Sequence, residues 1–261
     1  MFADYHIHSS FSDDSTCPME NEIKKAISTG IDEICFTEHV DYGVKTDLNC
    51  NYDTYIREFQ RCKEKYKSQI VIKLGIEFGI QVHTIEQFQK DFCKYKFDFV
   101  ILSCHQVDNK EFWRQDFQNG KTQQEYNEAY YNEILRVIKK YDDYSVLGHL
   151  DMIKRYDKAG VYPFEKTKYI VTEILKHVIS HGKGIEINTS SFRYGLEDLM
   201  PSKEILKLYK ELGGTLISIG SDAHEEEHIG DKIPLVKEEL KNMGFEKFCT
   251  FEKMKPIFHY L

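Results

Sequence analysis

The chain has 261 residues, 41% hydrophobic and 30% charged, a length that suits one large domain or two small ones and a composition that argues against a disordered chain. Its 35 Lys and Arg against 43 Asp and Glu leave a formal charge of -8, which repels phosphate backbones and argues against extended nucleic acid as a partner. No apolar run is long enough to span a bilayer, and MFADYHIHSS lacks a basic segment followed by an apolar stretch, so the expectation is a cytoplasmic protein with no membrane partner.

Taken in chain order, short apolar runs alternate with segments of helical spacing. FADYHIH opens the series; if it is extended, Asp4, His6 and His8 point to one side. The helical MENEIKKAISTG leads to EICFTEH, which ends on Glu38 and His39. A second helical stretch, YDTYIREFQRCKEKYKSQ, precedes IVIKLGIEF, which carries Glu77. FDFVILSCH ends on His105 and is followed by the loop-like DNKEFWRQDFQNG and the helical TQQEYNEAYYNEILRVIKKY. YSVLGHLD supplies His149 and Asp151, and the loop RYDKAGVYPFEK passes into the helical TKYIVTEILKHVISHG. The sixth run, GKGIEINTS, offers Asn188, with Arg193 just beyond it; after SKEILKLYKELGG the seventh, GTLISIGSDAH, ends on Asp222 and His224. Gly30, Gly182 and Gly213 stand where helices should close.

Seven strands alternating with helices predict parallel pairing through helical crossovers, in either an open doubly wound sheet or a closed barrel. In both, the strand C-termini meet on one face, and there one strand after another ends on a residue able to ligate a metal. His177, His181, His228 and His259 fall in helical or terminal segments and read as surface or structural, and His83 as a solvated loop residue. The seven cysteines show no Cys-x-x-Cys spacing and fit reduced thiols, with Cys35 and Cys104 as small buried hydrophobes. Carboxylates and imidazoles without cysteine ligands suit zinc, manganese or iron, and two or three such cations can bridge a hydroxide and neutralise an oxyanion, as phosphate-ester hydrolysis requires. Neither a GxxxxGK[ST] loop nor a GxSxG elbow is present to support NTP-driven transfer or serine-esterase chemistry.

At DYHIHSSFSDD, FTEH, GIEFG, SCH, GHLD and GSDAH, in that order between residues 4 and 224, the chain resembles the polymerase and histidinol phosphatase (PHP) superfamily, in its histidinol-phosphate phosphatase branch. The resemblance implies an α/β fold, a distorted seven-stranded (β/α)7 barrel spanning 1–261. It implies one metal held by His6, His8, Glu77 and Asp222, and a second bridged by Glu77 and bound by His105 and His149. A third would use His39 and His224 with Asp14, where many relatives carry histidine; Asp13 is its neighbouring rival. The implied substrate is a phosphate monoester, L-histidinol phosphate, attacked by the bridging hydroxide, with Arg155 and Arg193 clamping phosphate oxygens and Asp222 or His224 supplying the leaving-group proton. Trp113 or Phe112 would pack on the substrate ring. Another phosphoesterase of the superfamily, acting on phosphotyrosine or nucleotide phosphates, and a non-catalytic metal-binding protein are the competing readings.

Overall fold

The computed structural model describes residues 1–261. β1 (Ala3–Ile7) leads through a long loop to α1 (Met19–Ser28), then β2 (Glu33–Phe36), the two-residue β3 (His39–Val40) and α2 (Tyr52–Tyr66). β4 (Val71–Gly79), α3 (Ile85–Lys94), β5 (Phe99–Ser103), a small hairpin of β6 (Gln106–Val107) and β7 (Lys110–Glu111), and α4 (Gln123–Ile138) follow. The second half runs β8 (Val146–Leu147), α5 (Phe164–Ser180), β9 (Gly184–Asn188), α6 (Lys203–Glu211), β10 (Ile217–Gly220), α7 (Ile233–Asn242), β11 (Lys247–Glu252) and β12 (Lys255–Tyr260).

Seven parallel strands lie in the order β1-β2-β4-β5-β8-β9-β10, with β3 beside β4. Backbone bonds from His8 N to Ala223 O (2.8 Å) and from Ala223 N to His6 O (3.3 Å) join the last strand to the first and close the barrel. Closure settles the choice that periodicity left open. The register slips between Asp4 and Ile7 where β1 meets β2, which makes the barrel uneven.

The strands read as apolar runs because both faces are covered: every residue of β1, β2, β5, β9 and β10 is buried. The helices show the complementary pattern, a single buried stripe. α4 buries Tyr126, Tyr130, Ile134 and Val137 and begins with a reciprocal cap in which Thr122 and Glu125 satisfy each other's backbone donors. Gly30, Gly182 and Gly213 take φ of 75°, 65° and 88° at the helix exits.

Two helices and two hairpins add to the sequence expectation, the β6–β7 hairpin reaching into the stretch DNKEFWRQDFQNG that reads as a loop. α3 and α7 are short, and the β11–β12 hairpin turns on Lys253 and Met254 with φ of 50° and 66°, without the glycine or asparagine that usually marks such a turn. The hairpin covers the end of the barrel where the strands begin: Phe251 N donates to Tyr5 Oη (2.8 Å), which itself donates to Phe251 O (3.1 Å). With that end sealed, the opposite end, at the strand C-termini, is left to hold a site. No helix is long and apolar enough to cross a membrane.

Candidate metal centre

His6 lies on β1 and His8 just past it; His39 sits on β3 in register with Glu77 of β4; His105, His149 and the Asp222–His224 pair follow the ends of β5, β8 and β10. Parallel order therefore gathers at one mouth residues that are far apart in sequence. His6, His8, Glu77, His105, His149 and Asp222 are all buried there.

The distances have the scale of a coordination shell. His6 Nε2 lies 3.2 Å from Glu77 Oε2 and 3.5 Å from Asp222 Oδ1, and His8 Nε2 lies 3.4 and 3.5 Å from the same two oxygens. Four ligands about 2.0–2.2 Å from one tetrahedral centre are separated by roughly 3.3–3.6 Å. The other oxygen of Glu77, Oε1, faces His105 Nε2 at 3.2 Å and His149 Nε2 at 2.9 Å, so its carboxylate divides between two groups of imidazoles. Asp14 spans a third group, with Oδ2 3.5 Å from His39 Nε2 and Oδ1 3.3 Å from His224 Nε2. His39 is shared, since its Nδ1 approaches Glu77 Oε2 at 2.9 Å.

These residues fit divalent cations on a second count. His6 Nε2, His8 Nε2, His39 Nδ1 and Glu77 Oε2 are buried without a well-aligned hydrogen-bond partner, the 2.9 Å approach of the last two included. Four unsatisfied polar atoms within a few ångströms would be costly in a purely structural cluster, whereas cation coordination satisfies such atoms together. The electrostatics agree. Burial opposes charge on His6 and His39, yet Glu186, Glu77 and Asp222 hold the first, and Asp14 and Glu77 the second, well above the usual imidazole range. His105 behaves alike, burial being overridden by Asp41 and Glu77 to reach about 9. Burial would raise Glu77 and Asp222, but the surrounding imidazoles hold both well below the carboxylate range. The pocket calls for positive charge. His8 is the exception, lowered by burial and by the stacked rings of His39 and His224.

An outer layer orients these groups. Glu186 of β9 holds His6 Nδ1 and accepts from His149 N (2.9 Å). Asp41 holds His105 Nδ1 at 2.9 Å, and Ser12 stands 3.1 Å from His8 Nδ1. Two glycines make room: a Cβ on Gly79 would stand 1.9 Å from Asp41 Oδ1 and 2.8 Å from His105 Nδ1, and one on Gly220 would stand 2.3 Å from His6 Cβ. Asp222 adopts a left-handed φ of 55°, held by Arg193 Nη2 donating to its carbonyl (2.7 Å) and by Asn188 Nδ2 donating to its carboxylate (3.3 Å).

A cavity of about 810 Å³ opens over the cluster, with Arg155 and Arg193 in its wall. Arg155 is nearly buried, lies 3.6 Å from Asp222 Oδ2, donates to Ser190 Oγ (2.6 Å) and stacks on Tyr194 with its guanidinium carbon 3.9 Å from the ring centroid. Neither arginine is a surface ion pair. Arg155 Nε and Arg193 Nη1 are buried without partners.

Several strand-end residues face elsewhere. Asp151 accepts from Lys154 Nζ (2.8 Å) and Ser202 N (2.9 Å), and Glu38 from the hydroxyls of Ser9 and Ser12, so neither joins the cluster. Asp13 is paired with Lys45 at 2.9 Å, leaving Asp14 to face the imidazoles. Phe112 is packed against Phe117 and Tyr130 in the core, whereas Trp113 lines the cavity; His83 bonds Asn109 outside it. His228, read from sequence as surface or structural, lines the cavity beside Glu225. Glu186 and Asp41 escaped the sequence reading. A lone glutamate inside the apolar GIEIN was the available signal for the first; nothing in its neighbourhood marked the second.

A family model described as PHP domain matches residues 4–190. The chain is 34% identical over 258 residues to the histidinol-phosphatase of Lactococcus lactis, covering 97% of this chain and 95% of that protein. It is 33% identical over 237 residues to a probable histidinol-phosphatase of Clostridium acetobutylicum, covering 88% and 89%. Among solved structures it resembles histidinol phosphate phosphatase from Lactococcus lactis complexed with zinc, L-histidinol and phosphate, with a TM-score of 0.86, 32% identity and 98% of each chain covered.

Proposed function

Because this chain belongs to the PHP domain family, we propose that it is a metal-dependent phosphomonoesterase that hydrolyses L-histidinol phosphate to L-histidinol and phosphate, a step of histidine synthesis. The observation that carries the reading is the division of Glu77 between His6 and His8 on one oxygen and His105 and His149 on the other, beneath a cavity walled by two arginines. The similar Lactococcus lactis structure, which contains zinc, L-histidinol and phosphate, supports the substrate class.

In this reading His6, His8, Glu77 and Asp222 would hold one cation, Glu77, His105 and His149 a second, and Asp14, His39 and His224 a third; zinc, manganese or iron suits the donors. Bound there, divalent cations lower the pKa of water and offset the charge of a phosphate. Arg155 and Arg193, in the cavity wall, would orient the phosphate oxygens with their planar guanidinium donors. The leaving alkoxide would take its proton from water placed beside Asp222 or His224, since neither side chain has a proton of its own to give while it holds a cation. Trp113 offers a face for the substrate's imidazole.

The whole chain, 1–261, acts as one domain in this account. Seven free thiols and the charge of -8 support a reducing cytoplasmic setting and a small-molecule partner rather than nucleic acid. The test is phosphate release across a panel of esters. Preference for L-histidinol phosphate over phosphotyrosine and nucleoside monophosphates is the expected result; equal or better turnover of another ester would retain the metal centre and overturn the substrate.

A further inference from the structure

A second group of metal-ligating residues lies at the other end of the barrel. α5 ends at Ser180 and the chain enters β9 at Gly184, so the last turn of α5 belongs with the strand N-termini, away from the cavity. His177 and His181, one helical turn apart, stack there with ring centroids 3.9 Å apart and planes 20° from parallel. Asp142, in the connection from α4 to β8, joins them: one ligand atom from each of the three residues lies within 4.8 Å of the other two.

Two features go beyond proximity. His181 Nδ1 is 2.9 Å from the carbonyl oxygen of His177, which can only accept, so Nδ1 carries the proton and Nε2 keeps its lone pair. A backbone carbonyl fixing the tautomer in this way is the usual outer-layer support of a metal-binding histidine. The other imidazole, His177, leaves Nε2 buried without a well-aligned hydrogen-bond partner. Both rings stand at a helix C-terminus, where the backbone dipole favours a cation.

We propose that Asp142, His177 and His181 form a surface site for a divalent transition cation of the nickel or zinc type, which ties the end of α5 to the connection between α4 and β8. Two imidazoles and a carboxylate are donors suited to such an ion, and the remaining positions would be taken by water. The proposal does not rest on the phosphatase reading, because it uses no residue of the cavity.

The test is calorimetric titration with nickel of protein loaded with zinc and then dialysed against a weak chelator until only the cavity cations remain, with zinc counted before and after the titration. The wild type should take up one nickel equivalent without losing zinc, His181→Ala should take up none, and Asp142→Asn should bind more weakly. His181 is exposed, so its replacement should leave the fold intact, and phosphate release followed in parallel should be unchanged. Absence of an extra equivalent in the wild type, or the same uptake in His181→Ala, would overturn the proposal.

Discussion

The carboxylate of Glu186 is held against Nδ1 of His6, 180 residues away in sequence, with both side chains buried in the barrel wall. The contact fixes the ring so that Nε2 faces Glu77 and Asp222. Glu186→Gln keeps the shape and removes the charge. Zinc affinity, measured by chelator competition, should fall by roughly 10- to 100-fold; unchanged affinity would show that Glu186 only fills space.

Gly79 lets Asp41 and His105 meet. A methyl group there would overlap the Asp41 carboxylate and crowd His105 Nδ1. Gly79→Ala should cost about 1–3 kcal/mol in stability through overpacking and lower turnover as His105 is displaced. Urea unfolding and phosphate release are the readouts, and a variant with native values in both would refute the crowding argument.

Asp14 spans His39 and His224 alone among the nearby carboxylates, since Asp13 is committed to Lys45. Asp14→Ala should reduce the metal content of the purified protein by the third cation, and Asp14→His should retain it. Elemental analysis decides; equal content in all three proteins would place the third cation elsewhere or nowhere.

Glu22 gives a pH dependence unrelated to the site. It is buried on α1 with both carboxylate oxygens lacking hydrogen-bond partners, and burial, reinforced by Glu38 and Asp4, pushes its pKa up to about 11 from 4.5. The folded state then keeps a proton that the unfolded chain releases above pH 4.5, so this group lowers stability as pH rises from there toward 11. Glu22→Gln removes that slope. Relative to wild type the variant should gain in denaturation midpoint at pH 8 over pH 5; an equal shift at the two pH values would mean that Glu22 is already ionised in the fold.

The strand–helix alternation was legible because parallel strands buried on both faces leave apolar runs, and because glycines such as Gly30 and Gly182 mark helix exits. The recurrence of ligand-type residues at strand ends singled out His6, His8, His39, Glu77, His105, His149, Asp222 and His224, which the barrel brings together, whereas Asp14, in the loop after β1, was suggested only by the family resemblance. What sequence concealed depends on contacts between elements. Asp41 matters only because it reaches His105, 64 residues away, across the notch at Gly79. Glu186 lies inside its strand rather than at the end, and the β11–β12 hairpin turns on residues with no intrinsic preference for that conformation. Asp151 shows the reverse: it stands at the right place in the sequence, and Lys154 draws it away.

The most direct test is phosphate release from L-histidinol phosphate by chelator-treated protein before and after zinc is restored, with Glu77→Ala beside it. The account predicts negligible release without metal, recovery with zinc, and no recovery in Glu77→Ala, whose loss removes the carboxylate shared between two groups of imidazoles. Undiminished release from the metal-free protein, or full zinc-dependent release by Glu77→Ala, would contradict it.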